Sequence, residues 1–96
     1  MIKNHEYYVY IVGSINDAIY IGVTNDLKRR VSEHKQGMIP GFTQQYKCKK
    51  LLYYEHFTDI NDAIKREKQL KNWHREWKLN LIKEKNPGMV DLALKQ

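Results

Sequence analysis

The sequence is poor in cysteine and has no long apolar run. Cys48 is the only cysteine, so no disulfide can form within the chain, and no histidine or second cysteine has a zinc-like or catalytic spacing to it. No apolar stretch approaches the roughly 18 residues that cross a membrane, and "MIKNHEYY" lacks the apolar core of a signal peptide. We therefore expect a cytoplasmic protein with an incidental thiol, whose pKa the lysines of "KCKK" could lower.

Acidic side chains are few relative to basic ones. Lysine and arginine number 17 against 11 acids, a net charge of +6, which favours a polyanionic partner, nucleic acid before an anionic membrane. Hydrophobic residues make up 42% and charged residues 29%, a globular composition. At 96 residues, the chain is expected to form one domain over residues 1–96 with a single modest core.

The stretch "YYVYIVGSINDAIYIGV" contains four tyrosines in a two-residue rhythm. This period predicts strands over residues 7–12 and 18–23. Between them, "GSIND" has the composition of a hairpin loop. Pairing of Val12 with Ala18 would close the hairpin.

That register places Tyr10 directly opposite Tyr20, and Tyr8 opposite Gly22. Directly opposed side chains share one face of a sheet, with Cβ atoms roughly 5 Å apart. The hairpin would therefore bring two phenols to one spot. Gly22 is expected to serve packing, by making room for the Tyr8 ring.

Residues 24–37, "TNDLKRRVSEHKQG", are typical of a helix. Thr24 or Asn25 is expected to cap it, and Asp26 suits its first turn. The spacing of four and three residues predicts an inward-facing stripe of Leu27, Val31 and His34.

The rest of the chain is predicted to contain one more strand and further helix. A loop, a third strand and a long helix are expected at residues 38–49, 51–57 and 58–77, respectively. Thr58 or Asp59 is the expected cap of the long helix. Another helical segment runs to about Lys85, where "NPG" ends it, and "MVDLALKQ" either folds back on the body or frays.

A carboxylate interrupts the apolar face of the long helix. Glu67 lies on the face formed by Ile60, Ala63, Ile64 and Leu70. A buried charge without a partner is costly, so this side chain must be paired, coordinated or exposed at a cleft. Pairing with Lys71 at i,i+4 is the simple alternative, worth a few tenths of a kcal/mol.

These features together resemble the GIY-YIG endonuclease family, most closely its small standalone bacterial members, and they are similar to the N-terminal nuclease domain found in excinuclease ABC. The resemblance rests on "VYI" at 9–11, "YIG" at 20–22, "NDLKRRVSEH" and "DAIKREKQLK", in that order. It implies an α+β fold with a small three-stranded antiparallel sheet flanked by helices. It also implies hydrolysis of DNA phosphodiester bonds with a divalent cation, Mg²⁺ or Mn²⁺.

The resemblance also implies site residues. It identifies Tyr10, Tyr20 and Arg30 as catalytic, together with His34 and the metal-binding Glu67. Tyr10 is expected to orient or deprotonate the attacking water, with Tyr20 in support or in the exchanged role. His34 is equally consistent with core packing. Tyr-Val-Tyr replaces Gly-Ile-Tyr in the first motif, and Val23 replaces a lysine that is often found after the YIG glycine.

Most of the other cations are expected to be solvated. A subset is predicted to contact DNA phosphates: Lys28, Arg29, Lys35 and Lys71. Two functions remain open, a metal-dependent endonuclease in DNA repair, recombination or processing, and a non-catalytic nucleic-acid-binding module within a larger assembly. The sequence leaves open the preferred form of DNA or RNA, the oligomeric state and whether a protein partner supplies specificity.

Overall fold

The computed structural model describes residues 5–15 and 18–95, with only the backbone for residues 94 and 95. Within these residues the fold is α+β, with one three-stranded antiparallel sheet in the order β2-β1-β3. This confirms the expected fold class. The elements are β1 (Tyr7–Gly13), β2 (Ile19–Thr24), α1 (Leu27–Lys35), α2 (Phe42–Gln45), β3 (Lys50–Phe57), α3 (Ile60–Lys71), α4 (Arg75–Lys85) and a terminal 3-10 turn (Leu92–Lys95).

The predicted hairpin register was wrong by two residues. Tyr10 pairs with Gly22 rather than Tyr20, Tyr20 pairs with Val12, and Tyr8 pairs with Thr24. Because side chains alternate with a period of two, an even shift leaves Tyr10 and Tyr20 on the same face as diagonal neighbours. The glycine thus makes room for the ring of Tyr10 and not for that of Tyr8.

Bonds across the hairpin loop explain the shift. The last pair of the ladder is Gly13 with Ile19. Beyond it, the Ser14 amide donates to the Ala18 carbonyl at 2.9 Å, and the Ala18 amide donates to the Ser14 hydroxyl at 3.1 Å. The predicted turn residues Asn16 and Asp17 lie outside the described residues.

The sheet is covered on both faces. One face carries the larger core cluster, which includes Val9, Ile11, Ile21, Ala63 and Leu70 from the strands and α3. The opposite face packs Tyr10, Val12, Val31, Cys48 and Leu51 beneath α1. Cys48 is fully buried, and this burial raises the pKa of its thiol, contrary to the lowering that "KCKK" suggested.

Two helix boundaries differ from expectation. Asp26 is the N-cap of α1 and accepts from the Arg29 amide at 3.1 Å, while Thr24 accepts from the Asp26 amide. Asp59 caps α3, as predicted. The long helix expected over residues 58–77 is broken, because α3 ends at Lys71 and α4 begins at Arg75.

The break falls in the segment "NWH". Asn72 is the C-cap of α3, and His74 precedes α4 in an extended conformation; both are weak helix formers. Trp73 lies between them and packs against the larger core cluster. Burial of this indole therefore accompanies a change of chain direction that helical periodicity does not report.

The C-terminal segment folds back, as one of the two alternatives predicted. Asp91 forms an ion pair with Lys35 and accepts from the Leu51 amide at 3.1 Å. Leu92 and Ala93 pack against the cluster beneath α1. The segment 38–49 is largely irregular but includes the short α2. None of the helices described is long and apolar enough to cross a membrane.

Candidate active site

Tyr10 forms the centre of the site. It projects from β1 beneath α1 and is fully buried. Its ring lies over Gly22, where an added Cβ would be only 2.5 Å from the hydroxyl oxygen. The hydroxyl is 2.9 Å from Nε2 of His34. The close approach of the ring to the β2 backbone thus directs the phenol oxygen toward α1.

The three rings of Tyr10, Tyr20 and His34 form one cluster. Their centroids are 6.4 Å apart for the two tyrosines, and 5.4 and 5.8 Å from His34 to Tyr10 and Tyr20, respectively. His34 is 3% exposed, so it serves packing as well as the polar contact. The two tyrosines therefore converge on one spot, as the shared strand face predicted.

Arg30 lies beside this cluster on α1. Its side chain is half-buried and its Nε donates to Glu33 at 3.1 Å. Its guanidinium also interacts with Tyr10, and the resulting stabilisation raises the Arg30 pKa despite the opposing effect of burial. Arg29 is more exposed and pairs with Asp26 and Glu33. Glu33 was missed by the sequence interpretation, because a helix glutamate ordinarily faces solvent.

Burial controls the protonation of Tyr10 and His34. It raises the pKa of Tyr10 to about 12, although the Arg30 guanidinium opposes this effect, and the charge of Glu67 raises it further. Burial and the Arg30 charge lower the pKa of His34. At neutral pH the site therefore contains a protonated phenol hydrogen-bonded to a neutral imidazole. Nδ1 of that imidazole is buried and has no hydrogen-bond partner among the described residues.

Glu67 is both paired and directed toward the site. Its side chain is only 17% exposed, and its Oε2 lies 3.3 Å from Nζ of Lys71. The same Nζ lies 5.7 Å from the centroid of the Tyr20 ring. The i,i+4 pair is thus present, and it is located beside the tyrosines, within electrostatic reach of Tyr10.

The donor set around Glu67 suits a hard cation that retains its water. The described residues include no group of three or more His, Cys, Asp or Glu side chains that could hold a metal, which is not the environment of a structural zinc. Mg²⁺ usually keeps several waters and binds through one or two carboxylates plus substrate phosphate. A single, largely buried carboxylate within electrostatic reach of Tyr10 fits that requirement.

The four predicted DNA-contacting cations have different environments. Lys28 lines a groove of about 590 Å³ that also contains Tyr8 and Tyr54. Lys35 lines it as well, but it is tied to Asp91 and donates to the Lys49 carbonyl at 2.8 Å. The structure therefore gives Lys35 a role in holding the C-terminal segment, whereas Lys71 belongs to the site itself.

A second groove lies between the β1–β2 loop and the end of α2. Its volume is about 660 Å³, and it is lined by Ser14, Ile15, Ala18, Gln45, Tyr46, Lys47 and Arg75. Ala18 packs in the same cluster as Tyr20. Two cationic side chains, Lys47 and Arg75, line the groove, and no carboxylate lines it among the described residues. Lysines near Cys48 were the only sequence signal for it; Tyr46 and Arg75 were missed.

The family model of the GIY-YIG catalytic domain matches residues 6–80, which include both strands of the tyrosine hairpin, α1, β3 and α3. The chain belongs to this family, which is a nuclease family.

The chain is also similar to small proteins that carry the name UPF0213. It is 33% identical over 79 residues to a UPF0213 protein of Staphylococcus saprophyticus, with 82% of this chain and 96% of the relative covered. A UPF0213 protein of Haloquadratum walsbyi is 36% identical over 81 residues, with 84% and 91% covered. The solution NMR structure of a UPF0213 protein from Bacillus halodurans superposes with a TM-score of 0.56 at 27% identity, covering 84% of this chain and 86% of the other.

Proposed function

We propose that the protein is a divalent-metal-dependent endonuclease that hydrolyses phosphodiester bonds in DNA, with Mg²⁺ or Mn²⁺ as the cation. The observation that supports this most strongly is the buried Tyr10 hydroxyl, 2.9 Å from Nε2 of His34. Arg30 and Glu67 lie within electrostatic reach of the same oxygen. A purely structural core would gain little from placing these four groups together.

Tyr10 is the better candidate for handling the proton of the attacking water. With a pKa of about 12, it does not ionise by itself at neutral pH. Neutral His34 can accept the phenol proton at Nε2, which makes His34 a cation. The phenol oxygen at the same time takes a proton from water. The hydroxide that forms then attacks phosphorus. Tyr20 packs against both rings and supports their orientation.

Arg30 is suited to bind the phosphate whose bond is hydrolysed. Its guanidinium carries a permanent charge and presents a fork of donors matched to phosphate oxygens. A cation held by Glu67 would supply Lewis-acid stabilisation of the phosphoryl oxygens and the leaving group. The half-buried position of Arg30 strengthens its interaction with charge that develops nearby.

The path proposed for DNA follows the cationic edges of the site. Lys47 and Arg75 line the groove at the β1–β2 loop, and Lys28 lines the groove beneath α1. Phosphate contacts of this kind bind without sequence preference and weaken steeply with salt. The proposal includes a role in DNA repair, recombination or processing in the cytoplasm, with specificity supplied by DNA structure or by a protein partner.

The test is metal-dependent cleavage of plasmid DNA and of a panel of labelled DNA structures. Glu67→Gln and Arg30→Ala should each lose about 100-fold or more in rate, whereas Lys83→Ala, at an exposed position on α4, should remain near wild type. Tyr10→Phe should lose more activity than Tyr20→Phe, because only Tyr10 bonds to His34. Full activity in Glu67→Gln or Arg30→Ala would refute the assignment. DNA binding without any cleavage by the wild type would favour the non-catalytic binding module.

A further inference from the structure

Lys71 makes two contacts that no step of the proposed hydrolysis uses. Its ammonium lies 3.3 Å from Oε2 of Glu67 and 5.7 Å from the centroid of the Tyr20 ring. A cation over an aromatic face is attracted by the negative face of the ring. The ammonium is thus held at a point between the carboxylate and the tyrosine pair.

The backbone of Lys71 is held in place, whereas its side-chain ammonium can move. Lys71 is the last residue of α3, and its carbonyl accepts from Nζ of Lys78 on α4 at 3.3 Å. Its side chain is 47% exposed, against 17% for Glu67. The backbone is therefore held at the helix junction, while the ammonium lies on the solvent side of the carboxylate and can withdraw along its flexible stem.

We propose that Lys71 is a positioning residue that occupies the cation position on Glu67 in the metal-free protein and is displaced when a divalent cation binds. This inference rests on the proposed function, which assigns the metal to Glu67. The ammonium and the metal compete for one carboxylate, so the lysine weakens metal binding in the absence of DNA. It also keeps Glu67 neutralised, so that the carboxylate does not repel an approaching phosphate.

After its displacement from Glu67, the Lys71 ammonium lies beside the position of the DNA phosphate that is cleaved. Because its backbone is held by the end of α3 and by the contact from Lys78, the lysine can move only as far as its side chain reaches. A phosphate oxygen that enters the site then offers it a new anionic partner. Lys71 would therefore exchange a carboxylate for the substrate as the metal arrives.

The test is an NMR titration of the full chain with Mg²⁺, following the carboxyl carbon of Glu67, without DNA. Lys71→Met keeps the apolar stem over Tyr20 and removes the charge, so it should bind Mg²⁺ about two- to fivefold more tightly than wild type, the range expected for loss of a partly exposed ion pair. Lys71→Arg should restore wild-type affinity. Lys68→Met is the matched control, since Lys68 is exposed in the same helical turn and forms no ion pair within the described part of the chain; it should change affinity by less than twofold.

The outcomes separate this inference from the function on which it rests. Saturable Mg²⁺ binding that is lost in Glu67→Gln, together with tighter binding in Lys71→Met alone, supports both. The same Glu67-dependent binding with no gain in Lys71→Met, or with an equal gain in Lys68→Met, overturns the role of Lys71 only. Absence of Glu67-dependent binding in the wild type overturns the metal assignment itself and with it the inference.

Discussion

Gly22→Ala tests the packing that positions the Tyr10 hydroxyl. The new Cβ would lie 2.5, 2.6 and 2.8 Å from Oη, Cζ and Cε1 of the Tyr10 ring. Carbon atoms in contact are ordinarily separated by about 3.5–4.0 Å, so the ring must shift by about 1 Å. A shift of that size, in either direction, lengthens or compresses the 2.9 Å hydrogen bond to His34.

The ring has little freedom to move. Tyr10 is fully buried and packs against both Tyr20 and His34, so the clash is not relieved by rotation into solvent. Overpacking of this kind typically costs about 1–3 kcal/mol of folding free energy. We therefore expect Gly22→Ala to lose about that much stability and, by misplacing the phenol oxygen, most of its cleavage activity.

A double-mutant cycle isolates the contact. Tyr10→Leu removes all three atoms nearest the new Cβ while keeping a buried apolar stem. In that background Gly22→Ala should stabilise the protein by about 0.5–1 kcal/mol, the ordinary gain of alanine over glycine within a strand. The coupling between the two sites should accordingly be about 1.5–4 kcal/mol. Urea denaturation followed by circular dichroism measures each corner of the cycle.

Gly88→Ala is the control for a glycine with room, because a Cβ there would lie 3.5 Å from its nearest neighbour, in ordinary contact with Val90. It should leave stability and cleavage unchanged. Equal effects of Gly22→Ala in the presence and absence of the tyrosine ring would refute the reasoning. So would a Gly22→Ala variant with wild-type stability and activity.

Three further predictions concern His34 and two of the lysines. Burial and the Arg30 charge hold the pKa of His34 below its usual 6.5, so the unfolded chain binds a proton at this histidine at higher pH than the folded protein does. The free energy of unfolding should therefore fall as the pH drops below about 6.5. In His34→Gln, urea denaturation should show a smaller fall in the free energy of unfolding over the same pH range. Lys35→Met should lower stability by about 1 kcal/mol, since it leaves the largely buried Asp91 carboxylate unpaired, with DNA affinity unchanged. Lys28→Met should instead weaken DNA binding and reduce its salt dependence by about one charge at constant stability; the opposite pattern for the two lysines would contradict these roles.

Local patterns in the sequence were sufficient to predict the strands, the glutamate on an apolar helix face and the common face of the two tyrosines. Tyr10 and Tyr20 share a face in the observed register as they did in the expected one, because side-chain alternation survives any even shift. The cap at Asp59 and the end of α4 before "NPG" likewise depend on neighbours in the chain. The assignment of residues 1–96 to a single domain stays a prediction.

Contacts between elements distant in sequence required the tertiary structure. The hairpin register depends on bonds made by Ser14 and Ala18 across the loop, and the break after Lys71 accompanies burial of Trp73. The ion pair of Lys35 joins residues 56 positions apart. None of these leaves a periodic signal, because each is determined by which surfaces meet.

The sequence by itself determined which chemical groups the site contains and which faces of their own strand or helix they occupy. Only the tertiary structure decided that the Tyr10 oxygen is hydrogen-bonded to His34, that the Arg30 guanidinium donates to Glu33, and that the Lys71 ammonium pairs with the Glu67 carboxylate. Periodicity fixes the direction of a side chain relative to its own backbone, since it follows from helix and strand geometry. Distances between atoms on different elements follow from how those elements pack, which no local pattern contains.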